Sequence, residues 1–398
     1  MSRFHWLWAS YAVSTYGSWI AFGAFPLLAV RELHATAFAV AVLEAAGLAV
    51  AAVVAVPLGP WVDRRAARPV LMTMDLARFL AMVSVPIAYL AGALSYGQLL
   101  AVSVVAATAN ITFGAASGAY LKHVVGREQL LVANGRFEAA MWVATATGPP
   151  LGGALIGLLG PVVTVTADAA SYLLSALAVG RIRGGDVAPP GDPTRGPATT
   201  LRGADLLAGG RFILHDAVLR RLFLNGILVS GLIMATSPLL AVLLLGQYHY
   251  PAWQYGLAFG IPALGGFAGA RLSGRLTTRW GRHRVLIVTG RLRSLFPLGL
   301  ALVGPGVPGL VTVIIVEGLL ITCMGIFNPI SATERLQRAP AGHAAQVLTT
   351  WTAASRLVQA ALMALWGVLA TCTGPLAAIT LSGLLLLATP LLLPRRQP

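Results

Sequence analysis

Five ionisable side chains sit inside stretches otherwise too apolar to hold them: Glu44, Glu138, Asp168, Glu317 and Arg356. An ionised group in hydrocarbon costs about 3 kcal/mol or more, so such residues mark proton, ion or substrate paths. A carboxylate placed there can take up and release a proton, or exchange one counter-charge for another. At 1.5 Å rise per residue, Glu317 lies roughly 12 to 15 Å in from one end of its apolar run, and Arg356 about 20 Å in from the opposite end of the next run. Those depths let the two meet. Either they form a permanent structural pair, or protonation of Glu317 frees Arg356 and lets a cationic or hydrogen-bonding substrate compete for the carboxylate. Glu44 and Asp168 each lie about a third of the way along their runs, and Asp168 is expected to be structural, turned inward to polar partners. Glu138 shares a helical face with Trp142 and Thr145 near the end of its run, where snorkelling to water is easy.

The elements that carry these residues are helices in a bilayer. Hydrophobic residues make up 57% of the 398-residue chain and charged ones 10%, too little polar surface to coat a water-soluble body. Runs of roughly 20 apolar residues, the length that crosses a bilayer core, fill the sequence without the every-second-residue alternation of barrel strands. We count twelve spans, near 8–30, 36–61, 69–91, 97–121, 135–159, 161–180, 217–246, 252–276, 285–304, 307–331, 343–368 and 371–393. The first is too long for a signal peptide and is expected to be retained. Cys323 and Cys372 have no metal-ligand neighbours in sequence and are read as packed side chains.

The net charge of +15 is not gathered in one soluble domain, so it does not point to nucleic acid. It alternates between loops. Arg64, Arg65 and Arg68 follow span two, Lys122, Arg127 and Arg136 surround the join of four and five, Arg279, Arg282 and Arg284 follow eight, and Arg335 and Arg338 follow ten. The opposite loops carry little beyond Arg31 and Glu32, so the positive-inside bias places both termini in the cytoplasm of a multi-pass protein of the cell membrane. A polar segment at 181–216, rich in Gly and Pro and ending in an amphipathic pattern from Leu201 to Leu219, reads as a cytoplasmic linker. It divides an N-terminal bundle (1–180) from a C-terminal one (217–398).

The halves repeat. Between Gly59 and Leu71 runs a charged elbow, Gly59-Pro60-Trp61-Val62-Asp63-Arg64-Arg65-Ala66-Ala67-Arg68-Pro69-Val70-Leu71, which returns at Gly274 to Leu286. A shift of 215 lays Gly59 on Gly274, Arg64 on Arg279, Leu71 on Leu286 and Arg78 on Arg293. This elbow resembles the loop between the second and third helices of the major facilitator superfamily, with Trp61, Ala66 and Ala67 departing from its pattern and Thr278 replacing the acid in the second copy. The resemblance implies an all-α membrane fold of twelve helices in two six-helix pseudo-repeats, with a substrate site between them. It also implies a conformational latch built from Gly59, Asp63, Arg64, Arg68, Arg78, Gly274, Arg279 and Gly281, asymmetric because only the first copy has the carboxylate.

Span five contains Gly148-Pro149-Pro150-Leu151-Gly152-Gly153, similar to the fifth-helix signature of the superfamily's proton-coupled exporters, in Gly148, Pro149, Gly152 and Gly153. Further stretches, Ala133 to Arg136, Asp168 to Leu173 and Asp216 to Arg221, resemble the bacterial exporter branch that includes macrolide efflux proteins and the enterobactin exporter. By that resemblance spans one, four, seven and ten line the cavity, with Tyr11, Thr15, Trp19, Asn110, Met324 and Asn328 as candidate lining; such stripes also serve plain helix packing. The expected function is proton antiport of a small amphiphilic drug, antibiotic or siderophore-like metabolite, by a monomer with no cofactor. An importer or uniporter, or a non-transporting receptor on the same fold, are the alternatives. The sequence has no phosphate-binding loop, no His-Glu-x-x-His run and no serine elbow, which argues against an enzyme.

Overall fold

The computed structural model describes residues 3–63, 65–125, 130–182, 210–338 and 344–394. Among them are twelve long helices: α1 (Arg3–Ile20), α2 (Ala37–Asp63), α3 (Ala67–Leu90), α4 (Tyr96–Val124), α5 (Leu130–Leu159), α6 (Pro161–Gly180), α7 (Ala217–Ala241), α8 (Ala252–Trp280), α9 (Arg282–Leu295), α10 (Gly306–Arg338), α11 (Ala344–Thr373) and α12 (Pro375–Leu386). Ten stretches are long and apolar enough to cross a membrane. The other two spans are α2, apolar but for Glu44 and its last residue Asp63, and α8, whose hydropathy is lowered by Arg271, Arg275 and Arg279. Leu80, Ile87, Leu158, Leu302 and Leu391 are exposed, as side chains facing lipid tails must be.

Local chemistry sets the helix ends. Ser95 caps α4 by accepting from Gln98 N at 3.2 Å, and Asp216 caps α7 by accepting from Val218 N and Leu219 N at 2.8 Å. The pseudo-repeat is written in the backbone too. α6 and α12 each begin with proline after a glycine at φ 86°, Gly160 and Gly374. π-helical turns, Leu28–Glu32 and Val242–Gln247, extend the first helical segment of each half. His34 (φ 49°) and His249 (φ 50°), 215 residues apart, share the left-handed conformation that few non-glycine residues adopt.

Within the N-terminal half α1 packs on α5 and α6, and α3 on α4 and α6; within the C-terminal half α7 packs on α11 and α12, and α10 on α8 and α9. The halves meet through two helix pairs, α5 with α8 and α2 with α11. Apolar packing shows which end of the molecule is shut. One buried cluster joins Leu28, Val40 and Leu43 to Leu240, Leu244 and Trp366 near the face away from the termini, here called the distal face. At the terminal face the clusters separate: Leu7, Leu71 and Val179 belong to one half, and Val218, Leu286 and Trp351 to the other. Among the described residues, the molecule is closed distally and its halves part toward the termini.

Candidate functional site

The distal closure is a contact of backbones. A Cβ added to Gly153 on α5 falls 2.8 Å from Trp253 Cα on α8, and one added to Gly256 on α8 falls 2.8 Å from the Pro149 carbonyl carbon. Side chains at either position would hold the helices apart, which is why glycine is needed there. Gly152 uses the neighbouring face of α5 to approach Ile20 at the end of α1. Above this contact Phe22 stacks on Tyr255 at 6.0 Å and lies 5.4 Å from Phe259, ring centre to ring centre. Among the described residues, polar groups also meet across the halves. Arg31 Nη2 donates to the Tyr250 carbonyl at 3.0 Å, and Ser237 on α7 lies beside the half-buried carboxylate of Glu44 on α2.

A polar network lies inside the N-terminal half. Arg78 on α3 is fully buried and pairs with Asp75, one turn earlier. Asp75 accepts from Ser175 Oγ at 2.6 Å, and Ser175 in turn meets Ser10 at 2.6 Å, so α1, α3 and α6 are joined by one chain of hydrogen bonds. The guanidinium also donates to Asn110 Oδ1 at 3.4 Å and lies over the rings of Tyr172 (4.3 Å) and Phe113 (4.7 Å). Asp168, buried on α6, accepts from Ser18 at 3.3 Å and Ser171 at 3.4 Å.

The C-terminal half keeps the arginine and loses the acid. Arg293, 3% exposed, takes the place of Arg78, and Gly290 that of Asp75 under a shift of 215. Its Nη2 donates to the Asn225 amide oxygen at 2.5 Å and its guanidinium lies 3.5 Å from the Phe327 ring centre, while Nε has no partner. Beside it opens a cavity of about 250 Å³ between α7, α10 and α11. Met324, Asn328, Arg335 and Trp351 are among its walls, and none of its described lining residues is acidic.

A sequence profile described as Major Facilitator Superfamily matches residues 7–363, nearly the whole chain. The chain belongs to the Major Facilitator Superfamily. It is 26% identical over 291 residues (72% of this chain, 69% of that one) to a curated relative, the multidrug efflux pump Tap of Mycolicibacterium fortuitum. Among solved structures it superposes on the nucleoside transporter NupG with a TM-score of 0.74 at 13% identity, covering 98% of both chains. A bacterial homologue of the iron transporter ferroportin, in an inward-facing state, gives 0.69 at 16% identity over 98% of both chains. A bacterial homologue of the lysosomal transporter Spinster, inward-facing and unoccupied, gives 0.70 at 16% identity over 98% of this chain and 94% of that one. At such identities the structures share the fold, a multi-pass transporter fold of the superfamily.

Within this transporter frame the anticipated residues fall into distinct places. Glu317 and Arg356 do not pair. α10 packs on α8 and α9 whereas α11 packs on α2 and α7, so the two residues stand on helices that barely touch. Arg356 instead donates to Gln359 at 3.2 Å, and Gln359 to Ser230. Glu317 is buried, without a hydrogen bond or ion pair among the described residues, on the stripe of α10 that carries Met324 and Asn328. Of the cavity candidates, Met324 and Asn328 line the C-terminal cavity and Asn110 meets Arg78. Tyr11 packs on Phe137 at 4.6 Å, Trp19 Nε1 donates to Met141 Sδ at 3.4 Å, and Thr15 is half-buried on the same helix.

The elbow residues scatter. Gly59, Asp63 and Arg64 lie outside the residues whose side chains are described, as do Glu138 and most of the 181–216 linker. Arg68 donates to the carbonyls of Val179 and Gly180, capping the end of α6, where a cation suits the helix dipole. Arg78 is held by Asp75 in the bundle interior, away from the elbow. Gly274 has open space around it, Arg279 lies 6.0 Å from the Trp280 ring, and Gly281 (φ 81°) makes the turn between α8 and α9. Asp75, Arg293 and Arg335 were not singled out as site residues by sequence. The Asp75–Arg78 spacing of three was a readable signal for the first, and the repeat of Arg78 at 293 for the second.

Proposed function

We propose that this chain exports a small amphiphilic compound in exchange for protons, its two six-helix halves rocking about a shared cavity. Glu44 carries the proposal: a half-buried carboxylate on the N-terminal half lies beside Ser237 on the C-terminal half, at the junction that must part when the distal face opens. Burying an ionised carboxylate there is costly and burying a neutral one is not. A proton taken up from the distal side therefore favours closure, and its loss favours reopening. Glu317, buried on α10 about two turns from Met324 and without a partner among the described residues, is the second carboxylate able to exchange a proton or meet substrate.

With the basic loops in the cytoplasm, the distal closure is an extracellular gate and the described conformation opens inward. The division at 1–180, 181–216 and 217–398 then separates two rocking bodies from their connector, and a monomer driven by the proton gradient suffices. Export is supported by the gate itself, since Pro149, Gly152 and Gly153 of the exporter-like motif lie in the α5 contacts, and by the likeness to an efflux pump. A compound panel tested in inverted membrane vesicles with an imposed pH gradient checks the direction. Accumulation that collapses with an uncoupler is the expected result; accumulation only in right-side-out vesicles identifies an importer.

A further inference from the structure

The two halves hold corresponding arginines in opposite ways. Arg78 is neutralised within the protein by Asp75, whereas Arg293, buried to the same degree, meets the neutral Asn225 and a ring face and no acid among the described residues, and borders an open cavity. Asn225 itself occupies the position of Ser10 in the repeat, and its Nδ2 is fixed by donating to the Thr389 carbonyl at 2.8 Å, so its amide oxygen is held toward Arg293. A second guanidinium faces the same space. Arg335 lies over the Trp351 ring at 4.7 Å, its Nε is buried without a partner, and it has no ion pair among the described residues. Arg356 is linked to the wall through Gln359 and Ser230.

A buried guanidinium without a counter-charge is unfavourable, and removing an anion from water is repaid only where such preorganised donors await it. We infer that the cavity between α7, α10 and α11 binds the oxyanion group of the transported molecule, a carboxylate held by Arg293 and Arg335, with its apolar body against Trp351, Phe327 and Met324. At about 250 Å³ the space suits a compact aromatic acid or the acidic end of a larger amphiphile. The inference rests on reading this cavity as part of the transport site, and it narrows the cargo from amphiphiles in general to organic anions. It also gives the asymmetry of the repeat a purpose: one half carries its own counter-ion, and the other borrows it from the cargo.

The test compares three probes of one shape on the purified full-length protein: 2-naphthoate, 2-naphthamide and 2-naphthylmethylammonium. Asn225→Asp is the informative variant, because it is nearly isosteric and gives Arg293 an internal carboxylate, reproducing the Asp75–Arg78 arrangement. Binding of naphthoate at least tenfold tighter than the amide or the ammonium is expected. Asn225→Asp and Arg335→Gln should each weaken naphthoate at least tenfold and leave the other two probes unchanged, with monodispersity and thermal stability reporting the fold. Equal or absent binding of all three probes overturns the inference, as does naphthoate binding indifferent to both variants. If vesicles export a cationic panel compound under a pH gradient while naphthoate is ignored, export stands and the anion site falls.

Discussion

Arg31 Nη2 donates to the backbone carbonyl of Tyr250 at 3.0 Å, tying the first loop of the N-terminal half to the corresponding loop of the C-terminal half. It is a part-buried contact, worth about 1 kcal/mol, and it joins the two halves that must part for the distal face to open. The same is true of the Glu44–Ser237 link and of the α5–α8 glycine contact. Interactions made in one conformation alone set the population of that conformation.

Arg31→Ala should therefore open the distal face without unfolding anything. Spin labels at His34→Cys and His249→Cys, exposed positions in the two joined loops, should report a mainly short distance in the parent protein. The long-distance population relative to the short should rise about fivefold in Arg31→Ala, the equivalent of about 1 kcal/mol. Cys323 and Cys372 are replaced by serine in both samples. Identical distance distributions would remove the contact from the gate.

Gly256→Val should act at the same closure more severely. The added methyls meet the backbone of Pro149 and Pro150, and overpacking of this kind costs about 1 to 3 kcal/mol. Because the cost falls on the closed state, transport should drop at least tenfold while the protein remains monodisperse. Gly274→Ala, which has open space, should stay within about twofold of the parent.

Asp75→Asn should damage stability rather than coupling. It leaves Arg78 buried with no carboxylate in direct contact and only the more distant Asp168 acting on it, and breaking a buried pair from one side costs about 3 to 5 kcal/mol. Thermal unfolding in detergent should fall by several degrees or more. Asp168→Asn, hydrogen-bonded to the hydroxyls of Ser18 and Ser171 and not in direct contact with Arg78, should fall by less than half as much. The reverse order would mean that Asp168 and not Asp75 holds the N-terminal bundle together.

The chain's division into spans was legible because hydrocarbon leaves few ways to satisfy a backbone, and the apolar runs follow from that alone. The pseudo-repeat was legible in Gly59/Gly274 and Arg78/Arg293, and the backbone repeats it at His34/His249. Depth along a helix can be counted from sequence; the partner helix cannot. That is why Glu317 and Arg356, at depths that would let them meet, instead stand on helices with different neighbours. Arg78 was read with the elbow because it follows it in sequence, yet two turns of helix carry it into the bundle, where Asp75 waits one turn away. The Arg293 cavity depends on α7, α10 and α11 converging, and no local pattern encodes that meeting.

The most direct measurement compares the parent protein with Glu44→Gln in inverted vesicles, following accumulation of an exported compound under an imposed pH gradient. Glutamine keeps the shape of the side chain beside Ser237 but never ionises, so the gate loses the charge that reopens it. The account predicts concentrative, uncoupler-sensitive uptake by the parent protein and uptake reduced at least tenfold, with no dependence on the gradient, for Glu44→Gln. Undiminished and still gradient-driven accumulation by Glu44→Gln would contradict it.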